Sequence, residues 1–142
     1  MQIYKKNYIY KNGVFKVGVD NPGAYTYAAQ LTSQGLTLDT NKFVIGPSAS
    51  SAYVCILGTS SLFDFTNYTT LNVRCKKLAS GNAQIAITPT KTNIMYNTTI
   101  REGIASTSEH VVTIDVSALT TAYLCFYGGV NDIADVYEIW CE

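Results

Sequence analysis

The stretch LNVRCK at residues 71–76 decides the fold, because its apolar and polar side chains alternate without interruption. Leu71, Val73 and Cys75 fall on one side of an extended chain, and the intervening amide and basic side chains fall on the other. Successive side chains of a β-strand point to opposite faces, so the alternation predicts a strand between a core and water. The stretch HVVTIDV at residues 110–116 alternates in the same way. Both stretches indicate antiparallel sheets that are covered on one face.

Short runs rich in Val, Ile, Thr, Tyr and Phe continue in both directions, divided by Gly, Pro, Asn and Ser. No segment keeps an amphipathic helical pattern for three turns. Asn12-Gly13 stands between two such runs and predicts a type I′ hairpin turn. The predicted strands lie near residues 2–10, 13–19, 24–31, 35–38, 42–46, 51–58, 69–78, 83–88, 94–101, 110–116, 121–127 and 135–141. They predict an all-β, antiparallel two-sheet β-sandwich of jelly-roll type, with residues 1–142 as a single domain.

The charge balance excludes several classes of function. Ten basic and ten acidic residues give a formal net charge of zero, and only 14% of the 142 residues are charged, against about 25% in an average protein. This balance argues against binding nucleic acid through phosphate neutralisation. No run approaches the roughly 18 apolar residues of a membrane span. The N-terminal stretch lacks the apolar core of a secretory signal. We therefore expect synthesis in a cytoplasm, with neither nucleic-acid nor membrane partners.

The four cysteines, Cys55, Cys75, Cys125 and Cys141, are spaced too widely for a typical zinc site. Their apolar surroundings predict reduced thiols that are buried as small hydrophobic side chains. The alternative is a disulfide, either Cys125–Cys141 or Cys55–Cys75.

Calcium is the most plausible metal, because oxygen-bearing loop side chains suit it. The densest cluster is Asn131, Asp132 and Asp135, and a second is Asp20 with Asn21. Acidic residues are also common in turns for conformational reasons. We therefore expect no metal and no cofactor, and keep the first cluster as a weak calcium candidate.

No catalytic motif stands out. The single histidine, His110, precedes a predicted strand, and no G-x-S-x-G nucleophile elbow accompanies it. The carboxylates are scattered over turns and polar strand faces, so they do not indicate the paired acids of a glycoside hydrolase. The chain is expected not to be an enzyme.

Tyrosine is the clearest excess, with eleven in the chain. Tyr4, Tyr8 and Tyr10 fall on one face of the first predicted strand, and Tyr25 and Tyr27 form a second same-face pair. An aromatic ring with a polar tip suits a surface that meets sugar rings or another protein. These five residues are the predicted ligand or partner surface. The alternative is that they close the edges of the sandwich.

Several segments resemble galactose-binding-like sandwiches and carbohydrate-binding modules. They are DFTNYTTLNV at 64–73, VTIDVSALT at 112–120, YLCFYG at 123–128 and VYEIW at 136–140. Together with the missing signal sequence, this combination resembles structural proteins of phages and prophages.

The resemblance implies, first, a non-enzymatic virion structural or adhesion module of a tail fibre, tail tip or capsid decoration. Such a module would be made in the host bacterial cytoplasm and reside in the virion. It would act through protein contacts, as a homo-oligomer and with other virion proteins. The alternative is a carbohydrate-binding module that recognises bacterial surface glycans, with the five tyrosines stacking on sugar rings.

Overall fold

Two antiparallel β-sheets pack face to face in the computed structural model, which describes residues 6–20, 36–47 and 54–142. Sheet A contains β1 (Asn7–Lys11), β2 (Val14–Phe15), β4 (Leu36–Leu38), β5 (Phe43–Ile45), β8 (Thr70–Lys77), β11 (His110–Asp115) and β13 (Ala134–Cys141). Sheet B contains β3 (Val19–Asp20), β6 (Val54–Thr59), β7 (Phe63–Asp64), β9 (Gln84–Thr88), β10 (Ile100–Gly103) and β12 (Thr121–Gly128). The predicted all-β sandwich is confirmed.

Strand β13 is the centre of sheet A. It pairs with β8 along its length, and its other edge pairs with β5 at Ala134–Val136 and with β1 toward its end at Cys141. The strand order across the sheet is β11-β8-β13-β1-β2. The last strand of the described chain is therefore held by segments from its beginning and middle.

The core lies between the sheets and follows the alternation read from the sequence. Leu71, Val73 and Cys75 of β8 are each 0% exposed and face sheet B, where Leu124 and Phe126 of β12 meet them in one cluster. Fully burying a side chain of this size contributes roughly 1.5–3 kcal/mol. Asn72, Arg74 and Lys76 consequently lie on the face of sheet A that points away from sheet B, which we call the outer face of sheet A.

The first hairpin has the expected turn but an unexpected strand. Asn12 and Gly13 have φ angles of 53° and 77°, which confirms a turn with both central residues in the left-handed region. Between Tyr8 and Tyr10 the register of β1 against β13 shifts by one residue. This β-bulge turns both Ile9 and Tyr10 inward, where each is 1% exposed. The prediction that Tyr10 shares a surface with Tyr8 is therefore wrong.

Residues 94–101 are not the continuous strand predicted from the sequence. The chain forms a short helix, α1 (Ile94–Asn97), and enters β10 only at Ile100. Asn93, the residue before α1, adopts a left-handed φ of 49°, so the chain does not enter this segment in an extended conformation. Ile94 packs on the outer face of sheet B against Ala86 and Tyr127. In the part of the chain that the structure describes, no helix has the length and hydrophobicity of a transmembrane segment.

Three cysteines are buried in the sandwich, as the sequence predicts: Cys75, Cys125 and Cys141. Cys75 and Cys141 are free thiols, so neither of the two alternative disulfides forms. Cys141 lies in sheet A, whereas Cys125 lies in sheet B and belongs to the cluster beneath α1.

We expect Cys75 and Cys141 to resist alkylation in the native protein. Burial raises the pKa of both thiols to about 12, whereas an unfolded thiol has a pKa of about 8.5. Because the thiolate is the nucleophile, iodoacetamide at pH 8.5 should label these residues only after unfolding in urea. Peptide mass spectrometry measures the labelling at each cysteine. Equal labelling rates in native and unfolded protein would contradict the described packing.

Candidate functional site

A row of four side chains crosses the outer face of sheet A. The strand registers place Tyr8 of β1 opposite Trp140 of β13, Trp140 opposite Asn72 of β8, and Asn72 opposite Thr113 of β11. Neighbouring strands lie about 4.8 Å apart, so the row extends for roughly 14 Å. We call these four residues the outer row. It places two aromatic rings at one end and hydrogen-bonding groups at the other.

The aromatic end consists of a tilted ring pair. The centroids of Tyr8 and Trp140 are 6.2 Å apart, and their planes meet at 45°. The indole Nε1 of Trp140 donates to Oε1 of Glu142 at 3.0 Å, which fixes the orientation of the ring. Tyr8 is half-buried and Trp140 is 7% exposed, so Tyr8 is the ring more open to a ligand.

Two lysines cover these rings. The ammonium Nζ of Lys11 lies 4.2 Å from the centroid of Tyr8, and Nζ of Lys6 lies 4.5 Å from the centroid of Trp140. A cation over an exposed ring is worth about 0.5–1 kcal/mol. Neither lysine forms an ion pair with a carboxylate in the part of the chain that the structure describes. The ring contacts are therefore the interactions that the structure shows for these two ammonium groups.

The amide of Asn72 is held in place at the middle of the outer row. Its Nδ2 donates to Oγ1 of Thr70 at 3.1 Å, and its Oδ1 accepts from Oγ1 of Thr113 at 2.9 Å. Asn72 is only 6% exposed. The exposed member of this network is the hydroxyl group of Thr113, whose direction the amide sets.

A second group of polar side chains lies beside the outer row. Arg74 Nη2 donates to Oε1 of Glu138 at 2.6 Å, and its Nη1 is 3.8 Å from Oε1 of Glu109. The guanidinium carbon lies 5.6 Å from the ring centroid of Tyr137. Two carboxylates and one ring therefore hold the planar guanidinium, which lies 38% exposed on this face.

The half-buried Tyr137 and the buried Asp135 form a polar pair at the β-bulge of β13. The Tyr137 hydroxyl donates to Oδ2 of Asp135 at 3.2 Å. Burial, followed by the charge of Asp135, raises the pKa of Tyr137 to about 12, so the phenol keeps its proton at neutral pH. Lys42 Nζ lies 3.1 Å from Oδ1 of Asp135 as an ion pair, off the direction of a hydrogen bond.

This arrangement fits recognition of a polar ring. An aromatic face suits the apolar C–H face of such a ring, and fixed amide, hydroxyl and guanidinium groups suit its hydroxyl groups. The carboxylates Asp135 and Glu138 are both engaged in ion pairs with cations of the same face.

The predicted surface residues are distributed unequally. Tyr8 lies in the outer row, whereas Tyr10 lies in the core, where its ring packs 4.5 Å from Phe15 and 5.0 Å from Phe43, centroid to centroid. Three further predicted members lie outside the described residues: Tyr4, Tyr25 and Tyr27.

Two of the three calcium candidates have other partners. Asp132 Oδ2 accepts from the backbone N–H of Gly129 at 2.5 Å, and Asp135 is the ion-pair partner of Lys42. Within the described ranges, no three His, Cys, Asp or Glu side chains come together as a metal site.

The single histidine, His110, lies at the start of β11, with its Nδ1 2.8 Å from the carbonyl oxygen of Ser108.

The sequence patterns do not single out four of the site residues: Trp140, Asn72, Thr113 and Arg74. The alternation in β8 already placed Asn72 and Arg74 on the polar face. The sequence does not show that β8 pairs with β13 and that β13 pairs with β1. These two pairings bring Trp140 and Tyr8 into the same row as Asn72.

Comparison with solved structures supports the architecture. The chain is similar to a mutant of CBM29-2, a family 29 carbohydrate-binding module studied for its mechanism of ligand recognition, with a TM-score of 0.61 and 17% sequence identity. The match covers 98% of this chain and 92% of the other. At this identity the similarity shows a shared β-sandwich fold. No protein-family model matches the chain, and no curated protein sequence matches it.

Proposed function

We propose that the protein is a non-catalytic carbohydrate-binding module whose ligand lies on the outer face of sheet A. The observation that carries the proposal is the outer row, in which the half-buried ring of Tyr8 leads into a fixed amide and hydroxyl network at Asn72 and Thr113. The shared fold with a carbohydrate-binding module supports the same class of function.

The physical argument rests on preorganisation. Sugars present apolar C–H faces and many hydroxyl groups, so they gain affinity from an aromatic surface and from polar groups that are already oriented. Asn72 is anchored by Thr70 and Thr113, and Arg74 is anchored by Glu138. Because these side chains are already fixed, they lose little conformational entropy when a ligand binds, and more of the contact energy remains as affinity.

The comparisons favour this function over the virion module that the sequence analysis placed first. They contain no support for a phage origin, for virion partners or for a homo-oligomer, whereas the similar solved structure is a carbohydrate-binding module. The alternative interpretation of the sequence thus becomes the leading proposal.

Replacing Tyr8 by alanine should weaken glycan binding by roughly 10-fold or more. Removing the ring deletes apolar contact worth on the order of 1.5 kcal/mol, and each 1.4 kcal/mol is about a factor of ten. A glycan array first identifies a ligand for the unmodified protein. Isothermal titration calorimetry then compares the dissociation constants.

Tyr96→Ala is the matched control, because Tyr96 is 76% exposed on α1, which packs on sheet B. This variant should bind as the unmodified protein does. Two results would contradict a binding site on the outer face of sheet A. One is a Tyr8→Ala variant that folds normally and keeps full affinity, and the other is a Tyr96→Ala variant that loses affinity. An array without any bound glycan would end the proposal.

A further inference from the structure

We infer that the preferred ligand is an anionic glycan, with a carboxylate-bearing sugar seated at the aromatic end of the outer row. The inference rests on the proposed function and names the substrate class of that same site. Its evidence is the juxtaposition of Lys6 and Lys11 with the rings of Trp140 and Tyr8.

The two lysines are the distinguishing feature of this end of the sheet. Their ammonium groups lie 4.5 Å and 4.2 Å from the ring centroids, so they stand where a sugar ring would stack. A neutral sugar would have to displace them and would offer no charge in return. A sugar that carries a carboxylate would take the ring face and pair with the displaced ammonium groups, so the cation–π contact is exchanged for an ion pair.

The charge distribution over the rest of the face supports this assignment. Among the other basic side chains of this face, Lys42 pairs with Asp135 and Arg74 pairs with Glu138. Lys76 has no ion pair among the described residues, but it lies four residues along β8 from Asn72, roughly 13 Å from the outer row. Lys6 and Lys11 form no ion pair among the residues that the structure describes. The chain has a net charge of zero, so these two lysines act as a local attraction and not as part of a general positive field.

The side-chain carboxylate of Glu142 is held at the aromatic end. Its Oε1 accepts from the indole Nε1 of Trp140 at 3.0 Å. This bond keeps the carboxylate on the edge of the indole, while Lys6 lies over its face. The ring face and the ring edge thus carry opposite charges, which favours one orientation of an anionic ligand over the reverse.

The test compares charged and neutral versions of the same sugars. The probes are oligomers of galacturonate, glucuronate and mannuronate, together with their carboxyl-reduced counterparts, titrated into the full chain by calorimetry. We expect at least one uronate oligomer to bind several-fold more tightly than its reduced form. The preference should shrink when the ionic strength rises from about 0.05 M to about 0.5 M, because salt screens exposed charges.

Charge-removing variants assign the effect to the two lysines. Lys6→Gln and Lys11→Gln keep most of the side-chain stem, and each should weaken binding of the uronate oligomer roughly 2- to 5-fold, as expected for an exposed ion pair. Lys77→Gln is the matched control, because position 77 lies five residues along β8 from Asn72, or roughly 16 Å. Lys77 donates to Oδ1 of Asn82 at a loop, away from the rings.

The outcomes separate this inference from the proposed function. Reduced oligomers that bind as tightly as the uronates, with binding still lost in Tyr8→Ala, would overturn the anionic preference and sustain carbohydrate binding. An effect of Lys77→Gln equal to that of Lys6→Gln would also overturn it, because the attraction would then be general. Binding of none of the six probe types, and of no glycan on the array, would overturn both.

Discussion

Replacing Phe43 by alanine is expected to lower the free energy of unfolding by about 3–5 kcal/mol, the range for large aromatic truncations in a core. Phe43 is 0% exposed and its ring joins both sheets. The ring centroids of Tyr10 and Phe15 in sheet A lie 5.0 Å and 5.5 Å away, and that of Phe126 in sheet B lies 5.4 Å away. Removing this ring leaves a cavity at the contact between the layers.

Urea denaturation and thermal melting measure the effect, and a loss of this size lowers the Tm by roughly 10–15 °C. Val44→Ala is the control, because Val44 is the next residue of β5, half-buried on the opposite face. This change should cost less than about 1.5 kcal/mol. Equal losses in the two variants would show that Phe43 does not hold the sheets together.

Replacing Gly13 by alanine is expected to destabilise the protein by about 2–4 kcal/mol, from a left-handed backbone and a steric clash together. The φ angle of Gly13 is 77°, a backbone conformation that residues other than glycine rarely adopt. A Cβ atom at this position would lie 2.1 Å from the backbone oxygen of Thr40. Because that obstacle is backbone, no side-chain rotation relieves it.

Asn12→Gly is the control for this turn. Asn12 is exposed and has a φ angle of 53°, so glycine fits the backbone there and the change should cost only a few tenths of a kcal/mol. Denaturant titration of both variants gives the comparison. A Gly13→Ala variant as stable as the unmodified protein would contradict the close approach of the first hairpin to Thr40.

The sandwich could be predicted because its strands obey a local rule. Leu71, Val73 and Cys75 alternate with polar residues in the sequence, and the structure buries all three. The Asn12-Gly13 turn was equally readable, since few dipeptides tolerate two left-handed residues. Such features depend on neighbours only a few residues away.

The failures occur where one residue breaks the period. The β-bulge after Tyr8 turns Tyr10 into the core, so Tyr8 and Tyr10 do not share the exposed face of β1 that their spacing predicts. Immediately before 94–101, the left-handed Asn93 starts a helical turn, and Ile94 gains burial on sheet B that propensity alone does not show. Both outcomes depend on tertiary contacts.

The candidate site could not be found from the sequence for a different reason. Tyr8 and Trp140 stand near opposite ends of the chain, and only the pairing of β1 with β13 brings them together. Asn72 joins them through a second strand pairing. A local pattern shows which side chains share a face of one strand, but it contains no information on which strands become neighbours.

The most direct test of the central claim, that the outer face of sheet A binds glycan, is a titration of tryptophan fluorescence. Trp140 is the only tryptophan in the chain and belongs to the outer row, so its emission reports on this face alone. We expect a glycan identified on the array to shift or quench the emission in a saturable way, with the dissociation constant found by calorimetry. Calorimetric binding that leaves the emission of Trp140 unchanged at saturation would contradict the account.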